Sequence, residues 1–83
     1  MNSVATQIDS LVTQIAKSLV DCPEDVLVKT FEGANTIVME LRVAKSDVGK
    51  IIGKQGRTAQ AMRYLIGAIS SKTKKRMVLE IID

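Results

Sequence analysis

Val48-Gly49-Lys50-Ile51-Ile52-Gly53-Lys54-Gln55-Gly56-Arg57-Thr58 sets two glycines three residues apart, Gly53 and Gly56, with a lysine and a glutamine between them. An apolar run precedes the pair. The pattern Ala59, Met62, Leu65, Ile66, Ile69 follows it and reads as the buried stripe of a helix. A tight Gly-x-x-Gly turn between two helices is therefore expected. Glycine reaches left-handed dihedrals at little steric cost, and without a Cβ it lets a ligand approach the backbone closely. Amides at the start of the second helix then face outward, where the helix dipole favours an anion. Such a turn suits a phosphate held by main-chain N–H groups.

Working upstream, Ser46 is expected to cap the first, short helix through about Ile52, with Asp47 in its first turn where the dipole favours an acid. Thr36 to Val43 alternates, with Ile37, Met39, Leu41 and Val43 on one face, the signature of a half-buried strand. Val26 to Phe31 is a second β-rich run, and Glu32-Gly33-Ala34-Asn35 reads as the hairpin turn joining the two. Val4, Ile8, Leu11, Val12, Ile15 and Leu19 recur at helical spacing, with Ser3 as N-cap and Pro23 as the stop. Downstream, Arg57, Gln60 and Arg63 share the exposed side of the second helix, Ser70 to Lys75 forms a basic loop, and Met77 to Ile82 a last strand.

The order is α-β-β-α-α-β: a helix over about 3–21, a hairpin over 26–43, a helix-turn-helix over 46–70 and a strand over 76–82. A hairpin makes the first two strands antiparallel; a helical crossover makes the last two parallel, with a right-handed connection. The expectation is one α+β domain over residues 1–83, a mixed three-stranded sheet covered on one face by three helices.

Composition narrows the function. Residues 44–76 carry nine cations against Asp47 alone, a net +8, while the remainder holds three cations against eight carboxylates, a net −5. That segregation suggests one basic surface for a polyanion; chance clustering on a solvated face is the plain alternative. With Phe31 and Tyr64 as the only aromatics, binding of bases on a platform of rings is disfavoured. The chain has no histidine, and its one cysteine, Cys22, stands beside Pro23, so nucleophile–base pairs and metal-ligand sets lack parts. No enzyme, cofactor or small-molecule substrate is indicated. A lone cysteine fits a reducing compartment; with neither leader nor membrane-spanning run, the cytoplasm is the expected location, with no membrane involved.

Two familiar phosphate-binding motifs fail on spacing. Five residues beyond Gly49 and Gly53 stand Lys54 and Thr58, where a P-loop requires glycine, and the chain contains no Gly-x-Gly. By contrast, the Ile-Ile-Gly-Lys-Gln-Gly core, the helix after it and the element order resemble the KH domain in its type II arrangement. Size and form are similar to the small single-domain bacterial KH proteins of the KhpA family.

That resemblance implies a clamp on the backbone of a short single-stranded nucleic acid. It places Gly53, Lys54, Gln55 and Gly56 against the strand, with Arg57 and Lys50 adding charge that displaces counterions. Ile51 and Ile52, with Val48, are candidates for the groove floor on the helix side, and Val78 or Leu79 on the strand side; the plain alternative is that most of these are core. Gly49 reads as a relief of packing between helix and sheet. Lys72, Lys74, Lys75 and Arg76 correspond to the variable loop on the opposite lip, or to an ordinary solvated charge run.

The resemblance further implies single-stranded RNA as ligand, an RNA chaperone or regulatory role, self-pairing or pairing with a KhpB/Jag-like KH protein, and a link to cell shape and cell-wall growth. Single-stranded DNA, and a protein–protein adaptor built on a KH scaffold, stand as alternatives.

Overall fold

The computed structural model describes residues 4–82. Helix α1 spans Val4–Leu19, burying Ala5, Ile8, Val12 and Ala16 at steps of three and four. Ser3, its expected cap, lies outside the described residues. Pro23 opens a single 3-10 turn, Pro23–Asp25, in which its missing N–H costs nothing. Strand β1, Leu27–Glu32, then pairs antiparallel with β2, Thr36–Arg42, and the hairpin is closed by the Gly33 N–H donating to the Thr36 carbonyl at 2.7 Å. Helix α2 is Val48–Ile52, α3 is Arg57–Ser70, and β3, Arg76–Ile82, lies parallel to β2 with Met39 beside Leu79.

The sheet order is β1-β2-β3, and its helix-facing side carries Ile37, Met39, Leu41 and Leu79, all buried with Ile51, Met62 and Ile66. An aliphatic core is what a chain with two aromatics must build, and both of those are exposed. The architecture is that of a type II KH fold.

Four local expectations need correction. Ser46 caps nothing: it sits within a 3-10 turn, Lys45–Asp47, that leads into α2 without a side-chain cap. Leu11 and Leu65, placed by spacing in buried stripes, are 41% and 49% exposed. A helix lying on one sheet buries a narrow strip, here Ala59, Met62 and Ile66 of α3, and Leu65 falls about 100° round the helix from Ile66. Gly49 relieves no packing, since a Cβ built there would meet nothing within 4 Å. Finally β1 starts at Leu27, because the Val26 N–H closes the preceding turn on the Pro23 carbonyl.

Candidate nucleic-acid interface

The turn between α2 and α3 is built by backbone conformation. Gly53 ends α2 at φ 78°, its N–H donating to the Gly49 carbonyl at 2.9 Å. Gln55 at φ 58° and Gly56 at φ 74° follow, so three of the four residues lie at positive φ. Gly53 is constrained on a second count: a Cβ there would approach the Thr58 backbone nitrogen to 2.9 Å and collide with the Thr58 side chain. The Gly56 N–H closes the turn on the Gly53 carbonyl at 3.0 Å. Lys54 and Gln55 are left exposed at its tip.

Helix α3 begins at Arg57 with no side chain capping it. At this end the Gly56 and Arg57 N–H groups are taken by the Gly53 and Lys54 carbonyls, which leaves those of Thr58 and Ala59 as the first-turn donors without an intrahelical partner. Lys54 and Arg57 flank this end, and among the described residues neither is ion-paired. A phosphate approaching here would meet main-chain donors, a helix dipole and two uncommitted cations together.

The other predicted site residues divide. Ile52 is 40% exposed beside the turn, whereas Ile51 is fully enclosed in the core and presents no surface to a ligand in this conformation. Lys50 is held away from the turn by Asp21 at 3.0 Å and Asp47 at 3.5 Å. The Asp21 carboxylate, more than Asp47, pushes its ammonium pKa upward. Of the strand residues, Leu79 is buried and Val78 half-buried.

Lys72 and Lys74 are exposed in the loop after α3, Lys74 at φ 62°. That loop is cross-braced: Ser70 Oγ donates to the Lys75 carbonyl at 2.7 Å and Thr73 Oγ1 to the Ser70 carbonyl at 2.9 Å. Lys75 is ion-paired with Glu32 of the hairpin, and Arg76 begins β3, its N–H donating to the Asn35 carbonyl at 2.9 Å. The loop thus stands at the far end of α3 from the glycine turn, about 21 Å away for fourteen residues. The two basic loops mark the ends of the α3–β3 surface.

Arg63, which spacing alone left as helix surface, lies midway between them. Its Nε donates to the Leu79 carbonyl at 3.3 Å, and with Arg76, Ile66, Met77, Val78 and Leu79 it lines a cleft of about 180 Å3. Only the pairing of α3 with β3 brings these residues together. Cys22 is half-buried; burial first, then the carboxylates of Asp47, Glu24, Asp25 and Asp21, push its thiol pKa up, the opposite of what a reactive thiolate needs. Among the described residues no helix is long and apolar enough to cross a membrane.

A family model described as "KhpA/KhpB, KH domain" matches residues 9–81. A Clostridium acetobutylicum protein named RNA-binding protein KhpA is 54% identical over 72 residues, covering 87% of this chain and 96% of the relative. Proteins of the same name from Borreliella burgdorferi and Chlamydia trachomatis are each 51% identical, over 88% and 83% of this chain and 89% and 88% of their own lengths. No solved structure matches the chain significantly.

Proposed function

Because the chain belongs to the KhpA/KhpB KH-domain family, we propose that it is a non-enzymatic RNA-binding module that grips short single-stranded RNA by its backbone and works in the cytoplasm as an RNA chaperone or regulator. The observation that carries this reading is the Gly53–Gly56 turn leading into α3, whose start no side chain caps, flanked by Lys54 and Arg57, which are unpaired among the described residues. Gly53, Gly56 and the first amides of α3 admit and hold a phosphate. Lys54 and Arg57 supply charge, and Gln55 donates to phosphate or sugar oxygen. Lys72 and Lys74 extend the basic track at the far end. A single module without exposed rings in its groove binds weakly, so added subunits would strengthen it through multivalency.

One exposed face of α3 supports pairing with a second KH copy. Ala61, Tyr64, Leu65 and Ala68 are all exposed on one face of α3, Tyr64 at 78%. Apolar residues at that spacing suit a partner helix, whether of another copy or of a KhpB/Jag-like KH protein. Replacing Leu65 by lysine should then shift sedimentation toward monomer without unfolding the chain. The RNA reading is tested by titrating labelled single-stranded RNA and DNA at several salt concentrations. Falling affinity with a finite salt slope supports it; absence of binding to either polymer at low salt refutes it and favours the adaptor role.

A further inference from the structure

Strand β1 is an edge strand with β2 as its only neighbour, and neither a proline nor a break in register interrupts it. Ladder parity tells which of its peptide groups are spent. The Gly33 N–H donates to the Thr36 carbonyl, so Phe31, Lys29 and Leu27, at two-residue steps along the same antiparallel ladder, also turn toward β2. Val28, Thr30 and Glu32 therefore direct their N–H and C=O groups to the open edge. An edge left unblunted in this way is a template for another extended chain.

The side chains along that edge differ by face. On the helix side a cleft of about 360 Å3 lies between β1 and α1, with Asp9, Ser10, Thr30 and Glu32 in its lining. The Thr30 hydroxyl donates to one Asp9 carboxylate oxygen at 2.8 Å and fixes the group in place. Among the described residues no cation pairs with Asp9. Glu32, at the hairpin end of the cleft, already holds an ammonium, that of Lys75 at 2.5 Å. On the outer face Leu27 and Phe31 are 48% and 54% exposed. The chain outside residues 44–76 is net −5, so this edge repels a nucleic acid and attracts a cationic strand.

We propose that the open edge of β1 is a docking site for an extended, basic segment of a partner protein, which adds to the sheet as a fourth strand. Antiparallel addition is the better-bonded geometry, and it sets paired residues on the same face. Residues of the segment that bond to Val28, Thr30 and Glu32 then place their side chains on the cleft side, where lysine or arginine meets Asp9, Ser10 and Glu32. The intervening residues lie beside Leu27 and Phe31 and are apolar. The recognised pattern is therefore a basic residue alternating with an apolar one. Lys75 occupies from within the chain a position that one lysine of the segment would take, and so competes with it. The site shares no residue with the Gly53–Gly56 turn, and the inference stands whether or not RNA binds there.

The test is fluorescence anisotropy with a labelled peptide of alternating valine and lysine, at low salt. It is compared with a valine–glutamate peptide and with two forms of itself, one methylated on the backbone nitrogens of its lysines and one on those of its valines. Wild type should bind the valine–lysine peptide at least about tenfold more tightly than the valine–glutamate one. Methylation at the lysines removes the N–H groups aimed at β1 and should abolish binding, whereas methylation at the valines should leave it within about threefold. Asp9→Asn keeps an acceptor for Thr30 but loses the charge, and should weaken binding by about three- to tenfold. Lys75→Ala frees Glu32 and should tighten binding by about twofold. Thermal melts verify that both variants are folded. Absence of peptide binding, equal binding of the two methylated forms, or unchanged affinity in folded Asp9→Asn overturns the inference. Single-stranded RNA titrated into the same samples separates the two claims: RNA binding without peptide binding removes this site alone, and peptide binding without RNA binding removes the RNA reading alone.

Discussion

The carboxylate of Asp47 accepts the backbone N–H of Cys22 at 3.0 Å, joining two points 25 residues apart in the chain. Its other oxygen accepts the Asp21 N–H at 3.2 Å, and the residue is fully buried. The link ties the connection between α1 and β1 to the start of α2, the helix that ends in the glycine turn. Burial works to raise the Asp47 pKa, but the Asp21 and Cys22 amides and Lys50 outweigh it and hold the group below its ordinary value of 3.8. A lowered folded-state pKa contributes stability that is present above pH 3.8 and lost as pH falls through the folded value. Asp47→Asn should therefore melt below wild type at pH 7, with the gap closing as both are acidified below pH 4. Melting curves across pH measure that gap.

Gly53 and Gly56 share a positive φ but not a neighbourhood. A Cβ at Gly53 would strike Thr58, whereas one at Gly56 would meet nothing within 4 Å. Gly56→Ala should cost about 1–2 kcal/mol, the left-handed penalty alone. Gly53→Ala should cost more, roughly 2–4 kcal/mol, since Thr58 and the α3 start must also shift. Urea unfolding of the two variants would expose the difference.

Ile51 and Ile52 are sequence neighbours with opposite fates. Ile51→Ala removes a side chain enclosed in the core and should destabilise the protein by about 2–5 kcal/mol. Ile52→Ala, at a 40% exposed position, should cost below about 1 kcal/mol while weakening RNA binding. Equal destabilisation by the two would contradict the burial described.

Lys50 and Lys54 contrast in the same way. Lys50 is engaged by Asp21 and Asp47, whereas Lys54 is unpaired among the described residues. Lys54→Ala should lower the slope of log affinity against log salt by about 0.7–1, one released counterion, and Lys50→Ala should leave it unchanged. Salt titrations of RNA binding would separate the two lysines.

The fold was legible because its signals are local: alternation in β2, helical spacing in α1 and α3, Pro23 and the hairpin turn. The glycine turn was legible because positive φ leaves a residue-type signature, although Gln55 adopts it too. What escaped the sequence depends on packing between distant segments. Asp47 reads as a first-turn acid, but its partners are amides 25 and 26 residues upstream. Lys50 reads as a free cation until α1's end brings Asp21 beside it. Leu65 fits the apolar stripe, yet sheet curvature and neighbouring helices decide how wide a strip is covered. Arg63 reads as free helix surface until α3 lies along β3 and its Nε meets the Leu79 carbonyl.

The most direct test of the account is the affinity of labelled single-stranded RNA for wild type and for Lys54→Asp/Gln55→Asp, measured by fluorescence anisotropy at low salt. Both side chains are exposed and aspartate tolerates the left-handed dihedral at position 55, so the variant should keep its fold and melting temperature. The account predicts that the folded variant loses at least about tenfold in affinity, as two acidic groups confront the phosphate. Equal binding by the two proteins would contradict the claim that the Gly53–Gly56 turn is where RNA is held.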